Sequence, residues 1–420
     1  MLGNYLKIAI AVLLRRKFLT FVNLFGATLT LTVLVVAYAV FDSTVRPGGA
    51  QHRQDNILLV NRLRLTNTQF DRNWGAFIGP AFYERYIATL ETPDRISYMT
   101  LPNSATSYLD GRKLTSMLRR TDAEYWEILD FDVIEGRVLS ADDVELGRMV
   151  AVINVATADS RFPDEPAIGR KLVVGRESFE VVGVVANEPE TSRLAFADIW
   201  VPITTAPRRA DAWLGEGQVM LYLEDPGRMQ LAKDEYQTAV AAFEPVSEPA
   251  VFDAATSRAW TALELYAAQM VAPYLEEDIF ASTDLIGEFI AAAIVVALLF
   301  MALPAVNMAN LSIGRILERA PEIGLRKAAG ASTSVLIGQF IFENVVLCAF
   351  GGLLAFALAP IVLGILNDTV YTYGRLSMSI PVFAAGFAFV VIFGVISGAY
   401  PAWKMARLQP AACLRGLNHA

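Results

Sequence analysis

Four long stretches of the chain contain no charged residue. They cover residues 18–41, 289–311, 344–367 and 376–403. In a helix that rises ~1.5 Å per residue, each stretch is long enough to cross the roughly 30 Å hydrocarbon core of a bilayer. The pattern therefore predicts a membrane protein whose α-helical bundle has four transmembrane helices.

A long segment of ordinary soluble character, residues 42–285, separates the first stretch from the other three. The predicted layout is one membrane helix, a large domain, and then three membrane helices with short connections. Runs of β-branched residues alternate with helical periodicity in the large domain, which predicts an α+β fold. Its centre, about 106–195, is rich in strands and turns, so a division into two subdomains is expected. The predicted strands are 149–154, 171–174, 179–185, 199–203 and 219–223, and the predicted helices are 123–129, 228–243 and 260–275.

The charge distribution predicts the orientation. The segments 1–17, 312–333 and 404–420 together carry 11 basic and 2 acidic residues, whereas 42–285 carries 23 basic and 38 acidic residues. Basic residues favour the cytoplasmic side of a membrane. Both termini are therefore predicted in the cytoplasm and the large domain outside. In a bacterium with two membranes, this places the large domain in the periplasm and the chain in the bacterial inner membrane. An Ala-x-Ala sequence at 37–39 leaves signal-peptide cleavage as an alternative for the first helix.

These observations give a set of predicted boundaries along the chain. The boundaries are a cytoplasmic amphipathic helix 1–17, transmembrane helices 18–41, 286–311, 334–366 and 380–403, a periplasmic domain 42–285, a cytoplasmic loop 312–333, a periplasmic loop 367–379 and a cytoplasmic tail 404–420.

The composition argues against several classes of function. The 420 residues are 54% hydrophobic and 19% charged, with a net charge of −8 and a mean hydropathy of +0.41. An acidic chain is a poor candidate for a nucleic-acid binder. Two His and two Cys are too few for a His/Cys metal cluster or a disulfide framework. No P-loop, serine-hydrolase or zinc-protease motif occurs, so no enzyme activity is expected, and a membrane-bound hydrolase is the weaker alternative.

The segment between the second and third stretches is the most informative one. Pro321 suits the first turn of a short helix, and Glu322 lies at the positive end of that helix's dipole. Arg326 and Lys327 lie at the negative end, and Gly330 can end the helix. The segment therefore predicts a compact, charged helical turn at the membrane surface. For the charges alone, a basic loop that follows the positive-inside rule is the simpler interpretation.

The full string from 315 to 355 is RILERAPEIGLRKAAGASTSVLIGQFIFENVVLCAFGGLLA. It resembles the coupling element and following helix of the MacB/FtsX-type ABC transporter permeases. The strings NYLKIAIAVLLRRKFLTFVNLFG, FEVVGVVANEP and GAYPAWKMARLQPAACLRG are similar to that family's N-terminal helix, periplasmic core domain and C-terminal tail. The resemblance implies that the loop docks on an ATPase. The implied coupling residues are Arg319, Glu322, Ile323, Gly324, Leu325, Arg326, Lys327 and Gly330.

The resemblance also implies the partners. It implies a homodimer or related heterodimer of permease chains that works with a separate cytoplasmic ABC ATPase in the lipid membrane. ATP and Mg would be bound by that ATPase, with no cofactor in this chain. A periplasmic adaptor and an outer-membrane protein are further implied partners. The expected function is to transmit ATP-driven movement to the periplasmic domain for export, extraction or signalling. The alternative is a membrane-anchored periplasmic binding or sensory module without an ATPase.

Small and polar residues inside the predicted membrane helices suggest where helices approach one another. Gly351, Gly352, Gly394 and Gly398 form small-residue patterns that permit close helix contact, either within one chain or in a dimer. Glu343 lies near the cytoplasmic end of its helix. Its carboxylate is expected to extend toward the interface, and a polar contact that relays movement of the loop is the alternative.

Overall fold

The structure is a computed structural model. It describes residues 17–109, 112–206, 210–244, 252–275, 285–300, 302, 325, 332–369 and 376–406. The chain divides into two compact units. The unit called here the helix unit takes its described residues from Met1–Phe41, Ala291–Thr369 and Leu376–Ala420, and the sheet unit takes them from Asp42–Ile290.

The strands of the sheet unit form one hydrogen-bonded network within the described residues. They are β1 (Ile57–Val60), β2 (Leu63–Asn67), β3 (Arg72–Ile78), β4 (Arg95–Thr100), β5 (Asn103–Leu109), β6 (Arg112–Thr121), β7 (Val133–Gly136), β8 (Val150–Asn154), β9 (Lys171–Val174), β10 (Glu177–Val185), β11 (Ile199–Pro202), β12 (Leu214–Gly215), β13 (Gly217–Tyr222) and β14 (Ala254–Ser257). The main path runs β14-β2-β3-β13-β4-β6-β11-β8-β10-β7. Strands β1, β12, β5 and β9 pair at its side with β13, β3, β6 and β10.

The described helices fall into short ones in the sheet unit and long apolar ones. They are α1 (Lys17–Val45), α2 (Pro80–Phe82), α3 (Glu124–Ile128), α4 (Ala141–Glu145), α5 (Val155–Arg161), α6 (Met229–Ala241), α7 (Ala262–Leu275), α8 (Ile286–Phe300), α9 (Thr333–Thr369) and α10 (Ile380–Ala406). Single 3-10 turns follow α1, at Gly49–Gln51 and Gln54–Asn56.

The strands and helices predicted for the large domain are present, with ends that differ by a few residues. Strand β10 begins at Glu177, two residues before its prediction, because it extends through the hairpin with β9. Strand β11 ends at Pro202, where a 3-10 turn begins. Strands β8 and β10, and β6 and β11, pair in parallel, while the remaining pairs are antiparallel. The α+β prediction is therefore confirmed as a large mixed sheet with helices.

Buried apolar side chains form separate clusters along this sheet. One cluster packs Tyr236 of α6 against Leu58 and Leu221 of the neighbouring strands β1 and β13. Another surrounds Trp200 of β11, whose ring lies 5.5 Å from that of Phe131. A third fills the space beside β8, β10 and β11. The strands of the centre, 106–195, share the same hydrogen-bonded path as the others, and a division into two subdomains stays a prediction.

The helix unit exposes apolar side chains, unlike a soluble domain. Within the described residues, two helices are long and apolar enough to cross a membrane, Thr20–Val45 and Ile337–Thr369, and two shorter apolar stretches are Ile286–Phe300 (α8) and Ile380–Ile396, the first part of α10. Phe18, Phe21 and Phe25 of α1 are exposed at helical spacing. An apolar outer surface of this extent matches lipid rather than water as the surrounding medium.

Candidate functional site

Most of the predicted coupling loop lies outside the described residues. This holds for Arg319, Glu322, Ile323, Gly324, Arg326, Lys327 and Gly330. Leu325 is described: it is helical, and its side chain is 68% exposed. The role of all eight residues in docking an ATPase stays a prediction. The described part of the chain begins again at Ser332 and continues into α9.

Two adjacent glycines of α9 lie against two different helices of the same chain. A Cβ atom added at Gly351 would lie 2.9 Å from the Cβ of Ala27 in α1. A Cβ added at Gly352 would lie 2.3 Å from the ring of Phe387 in α10. The Thr28 hydroxyl also donates to the Gly351 carbonyl at 3.2 Å. These contacts allow α9 to pack closely between α1 and α10, and a role of the same glycines in a dimer stays a prediction.

Polar side chains lie along the N-terminal part of α9. Gln339 Nε2 donates to Glu343 Oε1 at 3.2 Å, and Asn344 Nδ2 donates to the Gly394 carbonyl of α10 at 3.4 Å. The Glu343 residue is only 3% exposed. The expected extension of this carboxylate toward the interface is therefore wrong for this structure, because Gln339 and the surrounding helix contacts enclose it. Gly398 belongs to α10, and its surroundings lie outside the described part of the chain.

The chain enters the sheet unit through a 3-10 turn that is fixed by three hydrogen bonds. The backbone N–H of Ala50 donates to Glu188 Oε1 at 3.1 Å. The Ala50 carbonyl accepts from the backbone N–H of Asp130 at 3.0 Å. Gln51 Oε1 accepts from the backbone N–H of Leu194 at 3.1 Å. The segment that follows α1 is thus attached directly to the core around Trp200.

Glu188 is the unusual group in this entry region. The residue is 3% exposed, and its Oε2 atom has no hydrogen-bond partner within the described residues. Burial raises the pKa of the Glu188 carboxyl to about 7, against the opposing effect of the Ala50 N–H. Gly49 lies directly beside it with φ of +66°. Glycine adopts this left-handed backbone without strain. Because Gly49 has no Cβ, it also leaves room for the Glu188 carboxyl group.

The chain leaves the sheet unit through α7 and the beginning of α8. Trp260, just before α7, exchanges two backbone hydrogen bonds with Leu59 of β1, at 2.7 and 3.0 Å. Tyr266 of α7 meets Phe289 of α8 edge to face, with ring centroids 5.5 Å apart. Leu285 is buried in one cluster with Trp260 and the alanines of α7. The exit, like the entry, is therefore packed onto the sheet.

The residues that fix the entry and exit were not predicted from the sequence. Glu188, Gln51 and Tyr266 show no local pattern that separates them from other polar or aromatic residues. Their partners lie far away along the chain, 138 and 143 positions for the first two pairs. Within the described residues, no group of three or more His, Cys, Asp or Glu side chains could hold a metal ion.

Two family matches cover most of the chain. The MacB-like periplasmic core domain matches residues 20–239, and the FtsX-like permease C-terminal domain matches residues 265–410. Apolar helices joined to a large mixed sheet and these two matches define the class as an ABC transporter permease. The chain belongs to the MacB/FtsX-type permease family. This is a family of inner-membrane proteins with a periplasmic domain, and an ABC permease implies a partner ATPase.

Named relatives agree with this membership. The chain is 26% identical over 296 residues to an uncharacterized ABC transporter permease, YvrN, of Bacillus subtilis (strain 168), covering 70% of this chain and 68% of that protein. It is 25% identical over 427 residues to the macrolide export ATP-binding/permease protein MacB of Shewanella oneidensis, covering 97% of this chain and 60% of that protein. The chain spans about half the length of the MacB relatives it matches.

Among solved structures, the periplasmic region of MacB from Actinobacillus actinomycetemcomitans is similar over 53% of this chain and 94% of that chain. The identity is 13% and the TM-score 0.36. A domain of a permease protein from Porphyromonas gingivalis is similar over 50% of this chain and 90% of that chain, with 17% identity and a TM-score of 0.37.

Proposed function

We propose that this chain is a four-span permease subunit that transmits ATP-driven movement of a separate cytoplasmic ATPase to its periplasmic domain. Both termini and the 312–333 loop lie in the cytoplasm, and the sheet unit lies in the periplasm. The chain works as a dimer and hydrolyses no ATP itself, since ATP and Mg belong to the partner. The movement drives export, extraction or signalling, with an adaptor and an outer-membrane protein as further partners.

This proposal rests on one observation. The two segments through which the chain enters and leaves the sheet unit are both held to the sheet unit by hydrogen bonds. The entry is attached through Ala50 to Glu188, and the exit through Trp260 to Leu59. A connection that was loosely tethered would absorb a shift of its membrane helix. Here a shift is passed to the sheet, because buried hydrogen bonds and packed rings resist local deformation.

Packing inside the membrane supports the same proposal. The loop leads directly into α9, and α9 contacts both α1 and α10 through Gly351 and Gly352. Within the described residues of α1, α9 and α10, Glu343 is the acidic side chain enclosed in the helix contacts. A path for a polar substrate usually places ionisable residues along a cavity. One enclosed carboxylate favours movement of packed helices over passage between them.

The first test concerns the ATPase contact. The tagged chain is purified from native membranes, and co-purifying proteins are identified by mass spectrometry. An ABC ATPase should co-purify with the wild type and with Arg415→Glu, a charge reversal in the tail. Arg326→Glu should lose it, since removing one member of a desolvated interface pair costs about 2–5 kcal/mol. Absence of any ATPase from the wild-type sample would favour the sensory module instead.

The second test concerns movement outside the membrane. A spin label at Asp211, an exposed position of the sheet unit, reports the distance between the two copies in a dimer. A non-hydrolysed ATP analogue should change that distance when the ATPase is present and leave it unchanged when the ATPase is absent. A disulfide that locks the two sheet units together should stop transport but preserve ATP binding, and reduction should restore transport. Normal transport by the locked dimer would refute the proposed mechanism.

A further inference from the structure

A cavity of about 560 Å³ lies in the sheet unit, between α6, β14 and the first turn of α7. Its volume falls within the range of small-molecule sites. The transmission of movement proposed above does not need this cavity. Its lining is also unlike a packing defect, because charged and polar side chains provide much of it.

The amphipathic character of α6 explains one wall. Ala232, Tyr236 and Val240 are the buried residues of this helix and face the core of the sheet unit. Lys233 and Gln237, one turn apart, line the cavity. Gln237 Nε2 donates to the Ser257 carbonyl of β14 at 3.0 Å. This hydrogen bond holds α6 against β14. Strand β14 ends the main path of the sheet, where it pairs with β2, so α6 lies at the edge of the sheet.

The cavity contains charges of both signs. Asp234 of α6 and Arg258, the residue after β14, both line it. The guanidinium of Arg258 lies over the ring of Trp260, 4.8 Å from the centroid, which orients it. The Thr256 hydroxyl and the Gln237 amide supply uncharged hydrogen-bonding groups in the same lining. A ligand that matches this set carries an ammonium group, a carboxylate and amides.

The remaining wall of the cavity includes an ion pair between α6 and α7. Lys233 Nζ contacts both carboxylate oxygens of Glu264, at 2.5 and 2.7 Å, and the two side chains are 15% and 13% exposed. Glu264 also accepts from the backbone N–H of Thr261 at 2.8 Å, so it caps the N-terminus of α7. The Glu264 side chain is therefore part of the cavity wall and of the first turn of α7.

From this cap, packed contacts lead to the beginning of the second predicted membrane helix. Tyr266 lies two residues after Glu264 in α7 and meets Phe289 of α8. Trp260, which carries Arg258 on its face, is in the same buried cluster as Leu285. Any ligand that moves Lys233 or Arg258 thus acts on groups in direct contact with the exit of the sheet unit.

We propose that this cavity binds short zwitterionic peptides, with the ammonium group at Asp234 and the carboxylate at Arg258, and that α7 reports its occupancy to α8. A free amino acid is much smaller than the cavity, whereas a tripeptide fills more of it and supplies amides for Gln237 and Thr256. The binding half of the proposal is independent of the proposed function. The reporting half rests on it, because it concerns the regulation of the same permease.

Binding is tested on the full chain in lipid nanodiscs by isothermal titration calorimetry. The probe is L-trialanine, and the matched probe is N-acetyl-trialanine amide, which has the same backbone without the charged ends. Trialanine should bind saturably, and the capped peptide at least ten-fold more weakly. Equal binding of the two peptides, or binding of neither, would overturn the proposal. Glycine should also bind more weakly than trialanine, and preference for glycine would contradict the assignment of a peptide.

Variants locate the site. Asp234→Asn and Arg258→Gln should each weaken trialanine binding by about ten- to a hundred-fold, because each removes a charge-assisted hydrogen bond. Glu180→Gln, at an exposed position on β10, should bind trialanine like the wild type. Circular dichroism and thermal unfolding of each variant check that the sheet unit remains folded. Unchanged binding by both folded cavity variants would place the ligand elsewhere and refute the site.

The reporting half is tested with the co-purified ATPase. Trialanine should change the rate of ATP hydrolysis of the complex, and Tyr266→Leu should bind the peptide but lose this response. If the peptide binds while hydrolysis is unaffected in a coupled complex, the reporting half is wrong. If no ATPase co-purifies with the chain, the proposed function fails instead, and the calorimetric result on the peptide site is unaffected.

Discussion

The backbone N–H of Ala50 donates a hydrogen bond to the buried carboxyl group of Glu188 across 3.1 Å. Ala50 follows the long apolar helix α1 by a few residues, whereas Glu188 follows strand β10 in the middle of the chain. This contact attaches the entry of the sheet unit to its core. It also buries an ionisable group at that entry, so the stability of the attachment depends on both backbone geometry and pH.

The geometry can be tested at Gly49. This residue has φ of +66°, and an added Cβ would lie 2.6 Å from Glu188 Oε2. Gly49→Ala should therefore destabilise the sheet unit by about 1–3 kcal/mol, from backbone strain and displacement of the carboxyl group. Thermal unfolding followed by tryptophan fluorescence measures the change in the solubilised chain.

The neighbouring residue provides the control. Gly48 has φ of −76°, and nothing lies within 4 Å of an added Cβ. Gly48→Ala should be neutral or stabilise the chain by up to about 1 kcal/mol, because alanine restricts the unfolded chain. Equal effects of the two substitutions would show that the contact with Glu188 is not constrained as described.

The pH dependence follows from the pKa of Glu188. Its carboxyl has a folded-state pKa raised by burial to about 7 from the ordinary value of 4.5, so the folded state binds this proton more tightly than the unfolded state. The stability that this bound proton contributes is fully present at pH values below the pKa of Glu188 in the unfolded state. It is lost as the pH rises through the pKa of Glu188 in the folded state. Glu188→Gln should therefore gain stability relative to the wild type between about pH 5 and pH 8, by roughly 1–3 kcal/mol.

Urea unfolding at pH 5 and pH 8 measures this difference. Glu190→Gln, two positions away at an exposed site, is the control and should show a pH profile parallel to that of the wild type. A Glu188→Gln profile that is also parallel to the wild type would mean that Glu188 is ionised in the folded protein at both pH values.

Arg119 is a buried cation that binds backbone carbonyls. The residue is 0% exposed, and its guanidinium donates to the carbonyls of Thr100, Arg193 and Phe196 at 2.7–3.3 Å. Arg119→Leu should destabilise the sheet unit by about 3 kcal/mol or more, because each buried acceptor left unpaired costs ~1–3 kcal/mol. Arg170→Leu, which removes a half-exposed ion pair with Glu165, should cost less than ~1 kcal/mol. A similar loss in both variants would contradict the role of Arg119.

The packing of α9 against α10 is tested at two glycines of α9. Gly352→Ala places a Cβ 2.3 Å from the ring of Phe387 and should destabilise the helix unit by about 1–3 kcal/mol. Gly364→Ala meets nothing within 4 Å and should be neutral or slightly stabilising, because alanine favours helices. Unfolding in detergent compares them, and tolerance of alanine at position 352 would refute the close approach of the two helices.

The topology is tested by cysteine labelling of cells with a permeable outer membrane. In a background without Cys348 and Cys413, a cysteine placed at Glu180 should react with an impermeant maleimide. A cysteine placed at Ser332 should react only after the inner membrane is also opened. Reaction at position 332 in cells with an intact inner membrane would place the loop outside and exclude docking on a cytoplasmic ATPase.

The sequence by itself determined the family, the strands and helices of the sheet unit and the apolar helices. Uncharged runs such as 18–41 and 344–367 specify apolar helices, and the alternation in 171–185 specifies a hairpin, because these patterns are local and reflect burial on a fixed period. It could not show that Glu343 is enclosed, since its position near a helix end fits both environments. Only the tertiary structure brought Glu188 to Ala50, Arg119 to its carbonyls and Glu264 to Lys233. Such pairs depend on how distant strands and helices meet, and a single polar residue carries no local signal of the partner that folding will bring to it.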